Sequence, residues 1–165
     1  MSVHPSTHAP ATYGGLPRFI KKAVSKSDRT LVGSAIRPAL TVEGEAATVR
    51  LAGGTAWAEV VGPQVPGEGT PYVPEATTCT WVVHLRSVDA TVPVRASDFS
   101  TIDHLGTVYH PTFVPGAPKP PATLTAGQTT TFELRVVMPT GEGLMRWAPG
   151  TSPIVASWDF EVEND

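Results

Sequence analysis

Residues Thr78 to Arg86 read TCTWVVHLR, and their side chains alternate between two faces. One face carries Cys79, Trp81, Val83 and Leu85, and the other carries Thr80, Val82, His84 and Arg86. Alternation of bulky and β-branched residues with a period of two indicates a β-strand with one face in a core. Because the second face also holds the apolar Val82, that face should be partly covered. The stretch therefore predicts a strand near the centre of a sheet.

Two later stretches alternate just as regularly. Residues 129–138 place Phe132, Leu134, Val136 and Met138 on one face, and residues 154–162 place Ile154, Ala156, Trp158, Phe160 and Val162 on one face. Shorter apolar runs predict strands at 39–42, 47–51, 56–61, 91–95, 98–102 and 107–110. The chain has 17 Pro and 15 Gly among 165 residues, and no long helical pattern follows residue 34, so turns must be frequent. We therefore predict an all-β, two-sheet β-sandwich over residues 34–165.

The N-terminal segment differs from the rest in charge. Residues 1–37 hold six Lys or Arg against Asp28 alone, a net charge of +5, whereas the remainder holds six against fourteen acids, a net charge of −8. Residues 1–15 have no hydrophobic periodicity and are predicted to be disordered. Over 16–26, the apolar residues recur at helical spacing, with basic residues on the other side. We expect residues 1–33 to form a disordered basic arm with one short amphipathic helix.

The predicted helix is the first candidate for partner binding. A helix this short is not stable alone in water, so its apolar face needs a surface to contact. The candidate contact residues are Leu16, Phe19, Ile20, Lys21 and Lys22. A protein surface, in this chain, a sister subunit or a partner, is the simpler expectation, and an anionic membrane surface is the alternative. Nucleic acid is not expected, because the body is acidic and the arm lacks interleaved aromatic residues beyond Phe19.

A second candidate for partner binding is the segment GEGLMRWAPG at residues 141–150. If this segment is a loop, then Leu144, Met145 and Trp147 would expose an apolar interaction surface. The competing interpretation is that the same three side chains fold back and fill one end of the sandwich. The sequence leaves both interpretations open.

Two segments resemble a known family. ASDFSTIDHLGTVYHP at 96–111 is similar to the F-x-L-x-D-x-x-G-x-x-Y segment of immunoglobulin-like domains of the DUF4352-related bacterial group, and LTAGQTTTFELRVVMP at 124–139 is similar to a second segment of that group. The resemblance implies an immunoglobulin-like β-sandwich, mostly found on exported bacterial proteins, with a role that is either binding or unknown. Phe99 and Tyr109 would then be core residues on adjacent strands. Asp103, His104 and Gly106 would form the turn between those strands, with Gly106 supplying a positive φ.

The residues that could support catalysis are few. The sequence has no G-x-S-x-G motif, and Cys79 alternates onto the core face with Trp81. Asp98, Asp103, His104 and His110 lie within thirteen residues, but their spacing is not typical of a zinc site, and we expect solvated turn residues there. The sequence thus favours a non-enzymatic binding or scaffolding module without metal or cofactor. A small hydrolase or metal-dependent enzyme that uses the His/Asp hairpin at 98–110 is the alternative.

The expected location is the cytoplasm, with a peripheral membrane contact as a variant. The N-terminal residues MSVHPSTHAPATYGG are polar and lack the apolar core of a secretory signal. A single cysteine excludes an intrachain disulfide. The sequence also has no apolar run of about 18 residues, the length a membrane-spanning helix needs.

Overall fold

The computed structural model describes residues 31–67 and 75–162, and the elements in these ranges are almost all strands. The first seven strands are β1 Leu31–Ser34, β2 Ala39–Val42, β3 Ala46–Leu51, β4 Gly54–Gln64, β5 Ala76–Ser87, β6 Val92–Pro93 and β7 Phe99–Asp103. The next six are β8 Val108–Tyr109, β9 Thr112–Phe113, β10 Thr123–Leu124, β11 Thr129–Pro139, β12 Gly141–Trp147 and β13 Ala156–Val162. A 3₁₀ turn at Ala96–Asp98 precedes β7. Among the described residues, no helix is long and apolar enough to span a membrane.

The strands form two mixed sheets that pack face to face. Sheet A has the order β1-β3-β4-β5-β11-β9, and sheet B has the order β2-β13-β12-β7-β8. Strands β6 and β10 form a separate antiparallel pair. Strand β5, which contains the TCTWVVHLR stretch, pairs with β4 on one side and β11 on the other, so it is central as predicted. Each sheet also has one parallel pair, β1 with β3 and β13 with β2.

The core lies between the two sheets and contains the faces predicted from alternation. Trp81 from sheet A and Trp158 from sheet B are both 0% exposed. Aromatic rings bridge the sheets: Trp81 meets Phe160 edge-on at a centroid distance of 5.3 Å, and Phe99 meets Phe132 at 5.8 Å. The β-sandwich predicted from the sequence is thus confirmed.

The segment around Trp147 is a strand rather than an exposed loop. Strand β12 pairs with both β7 and β13, and Met145 and Trp147 point into the core with 0% exposure. Of the two interpretations of residues 141–150, the exposed Leu-Met-Trp loop is therefore wrong, because Met145 and Trp147 fill space between the sheets. Glycines at two of the first three positions of β12 hide its alternation in the sequence. At Gly143, a Cβ would come within 2.6 Å of Phe160 Cζ.

The sandwich begins slightly before the boundary expected at residue 34. Strand β1 starts at Leu31 and pairs in parallel with β3, from Leu31 beside Ala47 to Ser34 beside Arg50. This pairing joins residues that are sixteen positions apart, which no local pattern reveals. The predicted helix at 16–26 and the predicted disorder of 1–15 lie outside the described residues.

Candidate interaction surface

The turn between β7 and β8 is held together by one carboxylate. Asp103 Oδ1 accepts hydrogen bonds from the backbone N–H groups of Leu105 and Thr107, both at 2.9 Å, and the Tyr109 hydroxyl donates to Asp103 Oδ2 at 3.0 Å. Gly106 adopts φ +86°, as expected, and its N–H donates to the Asp103 carbonyl. Tyr109 is half-buried against the core. The Asp103–Tyr109 segment is therefore a structural turn.

The hydrogen bonds of this turn favour the charged form of the Asp103 carboxyl group. Burial acts to raise the pKa of Asp103, but the hydrogen bonds from Thr107, Tyr109 and Leu105, with the nearby His104, outweigh it and lower the pKa. The pKa of Tyr109 is raised by burial and by its hydrogen bond to Asp103. Both shifts follow from the hydrogen bonds and neighbours that hold the turn together.

The four residues of the His/Asp hairpin do not come together as a catalytic or metal site. Asp98 is buried before β7, where burial raises its pKa although the Gly150 N–H and Arg95 favour the charged form. His104 and His110 are exposed. No group of three or more His, Cys, Asp or Glu residues that could hold a metal exists in the described part of the chain.

The outer face of sheet A carries a polar row across three strands. Glu59, His84 and Thr131 are register partners on β4, β5 and β11, and His84 Nδ1 lies 2.8 Å from Thr131 Oγ1. His84 is thus a cross-strand partner, as its sequence position indicated. With Trp57 and Arg86, the row lines a shallow groove of about 360 Å³. The local backbone N–H groups serve the β-ladders, so they do not form an oxyanion hole beside this row.

Cys79 is not available for nucleophilic chemistry. Its side chain is 0% exposed on the inner face of β5, and burial raises the pKa of its thiol to about 11. A thiol with such a pKa is almost entirely protonated near neutral pH and reacts slowly. The expectation of an inert core cysteine agrees with this environment.

Exposed apolar side chains concentrate at the edge of the sandwich where β1 and β2 lie. We call this the β1–β2 surface, and its members are Leu31 (48% exposed), Val32 (52%), Ile36 (97%), Leu40 (64%) and Val42 (54%). Both strands are the outermost of their sheets on this side, so each also presents an unpaired backbone edge. Exposed apolar side chains beside open strand edges are typical of an interaction site.

Carboxylates surround one end of the β1–β2 surface. We call Glu43, Glu45, Asp159 and Glu161 the acidic rim; all four are exposed. The tight turn after β2 places Glu43 and Glu45 beside strand β13, because the Glu43 N–H donates to the Asp159 carbonyl at 2.9 Å and Gly44 adopts φ +79°. Asp159 is the register partner of Val42. No cation of residues 31–67 or 75–162 forms an ion pair with the acidic rim, although Glu43 Oε2 accepts a hydrogen bond from the Gly62 N–H.

The candidate binding residues from the sequence fall into three groups. Leu16, Phe19, Ile20, Lys21 and Lys22 lie outside the described residues. Met145 and Trp147 are core residues, and Leu144 is half-buried on the outer face of sheet B. The β1–β2 surface was missed by sequence reasoning, although the adjacent exposed pair Leu31–Val32 departs from alternation and was the available signal.

Two packed mixed sheets with a single core define a β-sandwich protein. Solved structures share this fold. The chain is similar to MPT63, a secreted protein from Mycobacterium tuberculosis, at 17% identity and a TM-score of 0.56, over 74% of this chain and 98% of that chain. It is also similar to YcdA, described as a lipoprotein of Bacillus subtilis, at 13% identity and a TM-score of 0.51, over 65% of this chain and 36% of that chain.

These similarities establish the fold alone. No protein-family model matches the chain, and no curated protein matches it. The resemblance to the DUF4352-related group therefore stays a prediction. One neighbour is named as secreted and the other as a lipoprotein, so neither supports the cytoplasmic location expected from the sequence.

Proposed function

We propose that this chain is a non-enzymatic module that binds a protein partner through the β1–β2 surface. The observation that carries the proposal is the concentration of exposed apolar side chains between Leu31 and Val42, beside two open strand edges. The core between the sheets is already filled by tryptophan and phenylalanine side chains, so the fold does not need this surface buried. A protein partner would gain both apolar contact and backbone pairing there.

A binding role is also supported by how the reactive side chains are placed. The Asp103 carboxylate accepts the hydrogen bonds of its turn, and Cys79 is buried. The His84–Thr131 pair lies on an open sheet face. These groups lie in three separate environments, and none of them combines a nucleophile, a base and oxyanion donors. The alternative of a hydrolase at residues 98–110 therefore has little geometric support.

We propose that the chain binds this partner outside the cytoplasm. The support is that a secreted protein and a lipoprotein share the fold. We also propose that the sandwich is of the immunoglobulin-like type of the DUF4352-related group, because Asp103 and Gly106 lie in the turn that the resemblance implied. Cell fractionation of the producing organism tests the location, and recovery only with cytosolic markers would contradict it.

Site-specific photo-crosslinking tests the binding surface. Ile36 would be replaced by p-benzoylphenylalanine in the full chain, and cells producing it would be irradiated. Val137, 60% exposed on the outer face of sheet A, is the matched control position. We expect an adduct of higher mass from position 36 and none from position 137, and mass spectrometry identifies the partner.

A second variant makes the result specific. Leu40→Asp with Val42→Asp should abolish the adduct from position 36, because two carboxylates prevent apolar contact. Equal adducts from positions 36 and 137, or none from either, would refute the proposal. Flotation of the protein with anionic vesicles, lost in the same double variant, would instead assign the surface to a membrane.

A further inference from the structure

We infer that residues 16–26 of this chain bind the β1–β2 surface in cis, and that a partner reaches this surface by displacing them. Only the displacement step rests on the proposed function. The contact itself follows from three independent features of the molecule: charge, apolar pattern and the position where the chain enters the sandwich.

The charges of segment and surface are complementary. The segment carries Arg18, Lys21, Lys22 and Lys26 and has no acid. The acidic rim offers four exposed carboxylates that pair with no cation of the described ranges. The basic Arg37 and Arg50 lie toward the opposite end of the edge, where Ser34 pairs with Arg50. The electrostatic attraction therefore favours the Val42 end of the surface over the Ile36 end.

The apolar face of residues 16–26 also suits the β1–β2 surface in character and in length. The predicted helix collects Leu16, Phe19, Ile20, Ala23 and Val24 on one face. An eleven-residue helix is about 16 Å long, slightly longer than the about 13 Å of a four-residue strand such as β1 or β2. Attraction between exposed charges is screened within about 8 Å at physiological ionic strength, so burial of this apolar face must supply most of the binding energy.

The chain enters the sandwich at the right place. Leu31 pairs with Ala47, directly after the turn that follows Val42, so residue 31 lies at the acidic end of the edge. The five peptide steps from Lys26 to Leu31 span at most about 17 Å, which exceeds the roughly 10 Å between packed sheets. A linker this short gives an effective concentration in the millimolar range, so a weak contact suffices in cis.

Paramagnetic relaxation in the full-length chain tests the contact. A nitroxide on Val42→Cys reports proximity, and a nitroxide on Ala126→Cys, exposed in the turn before β11, is the control at the other end of the sandwich. The only native cysteine, Cys79, is buried and does not take the label. We expect amide signals of 16–26 to broaden with the label at position 42 and to stay sharp with the label at position 126.

Charge-matched variants separate apolar from electrostatic contact. Phe19→Asp with Ile20→Asp should abolish the broadening, and Lys21→Ala with Lys22→Ala should only weaken it. The control Ser6→Asp with Thr7→Asp changes the net charge by the same amount as the first pair, outside the segment, and should leave the broadening unchanged. Sharp signals for 16–26 with both labels would overturn the inference.

A mixed sample distinguishes cis binding from binding between copies. Isotope-labelled chain without nitroxide is combined with nitroxide-labelled chain of natural isotopes. Broadening of 16–26 in this mixture would assign the contact to a second copy and overturn the cis arrangement; we expect none.

The displacement step has its own readout. The Phe19→Asp, Ile20→Asp variant should give more intermolecular adduct from position 36 than the unmodified arm does. If the relaxation contact is present and no adduct forms in either chain, the proposed function fails while the cis contact stands. If adducts form but the relaxation contact is absent, the cis contact fails while the proposed function stands.

Discussion

Large apolar side chains occupy two contrasting regions of this molecule. Between the sheets, Trp158 is 0% exposed and its Nε1 donates to the Glu45 carbonyl at 2.8 Å. At the β1–β2 surface, Leu40 and Val42 are 64% and 54% exposed and contact mainly solvent. The interior therefore provides the folding energy, whereas the surface gains energy only when something covers it. The same residue types thus serve stability in one region and, in the proposed function, recognition in the other.

The largest effect is expected from emptying the interior. Trp158→Ala should destabilise the protein by about 3–5 kcal/mol, because it leaves a large cavity and removes the bond to Glu45. Trp57→Ala, at a half-exposed tryptophan on the outer face of sheet A, is the matched control and should cost clearly less. Urea unfolding measures both. A loss below about 1 kcal/mol for Trp158→Ala would contradict the face assignment of β13.

Adding one carbon between the sheets should have the next largest effect. A Cβ at Gly143 would lie 2.6 Å from Phe160 Cζ and 2.8 Å from the Ile102 carbonyl oxygen, which is fixed backbone. Gly143→Ala should therefore cost about 1–3 kcal/mol. Gly53→Ala, which meets nothing within 4 Å, is the control and should be close to neutral. Equal thermal midpoints for the two variants would show that β12 packs differently from the structure.

A smaller effect is expected at Asp103, which is held by hydrogen bonds and not by apolar contacts. The folded-state pKa of Asp103 is lowered, so its contribution to stability is present above the unfolded pKa of about 3.9 and is lost as pH falls through the folded value. Asp103→Asn keeps the acceptor for Leu105 and Thr107 but cannot titrate. We expect its stability to fall less steeply with acidification below pH ~4. Parallel acid-unfolding curves for the variant and the parent would show that this carboxylate does not govern acid stability.

The smallest effect is expected at the β1–β2 surface. Leu40→Thr with Val42→Thr retains residues suited to strands, and neither side chain is buried. Its free energy of unfolding should stay within about 0.5 kcal/mol of the parent. The inferred cis contact of residues 16–26 is weak and should change this value little. A marked loss, of the size predicted for Gly143→Ala, would mean either that the sandwich itself needs these side chains or that the cis contact is stronger than inferred. Repeating the measurement in the Phe19→Asp, Ile20→Asp background separates those cases.

The strands that could be predicted from the sequence are those with a strong local alternation. Strands β5, β11 and β13 each keep one apolar face over many residues, so both their existence and their orientation were clear. Strand β12 was missed because Gly141 and Gly143 remove two side chains from its alternation. Strand β1 was missed because its parallel pairing with β3 is nonlocal.

The candidate site was less predictable than the fold. Alternation tells which residues share a face, but it does not tell which strands are outermost in their sheets. Leu40 and Val42 are exposed because β2 lies at the edge of sheet B, beside a strand more than a hundred residues later in the chain. The turn at Asp103 was predictable because its hydrogen bonds join residues at most six positions apart.

The pairing of β2 with β13 also constrains how the chain is synthesised and folded. Strand β13 lies between β2 and β12, so β2 has no neighbour in sheet B until residues 156–162 have been made. A ribosome adding about 5–20 residues each second needs several seconds to travel from β2 to β13. During that time the inner face of β2 and its two edges are exposed, and closing so long a loop makes the final step slow. Sheet B therefore cannot be completed before strand β13 has emerged from the ribosome.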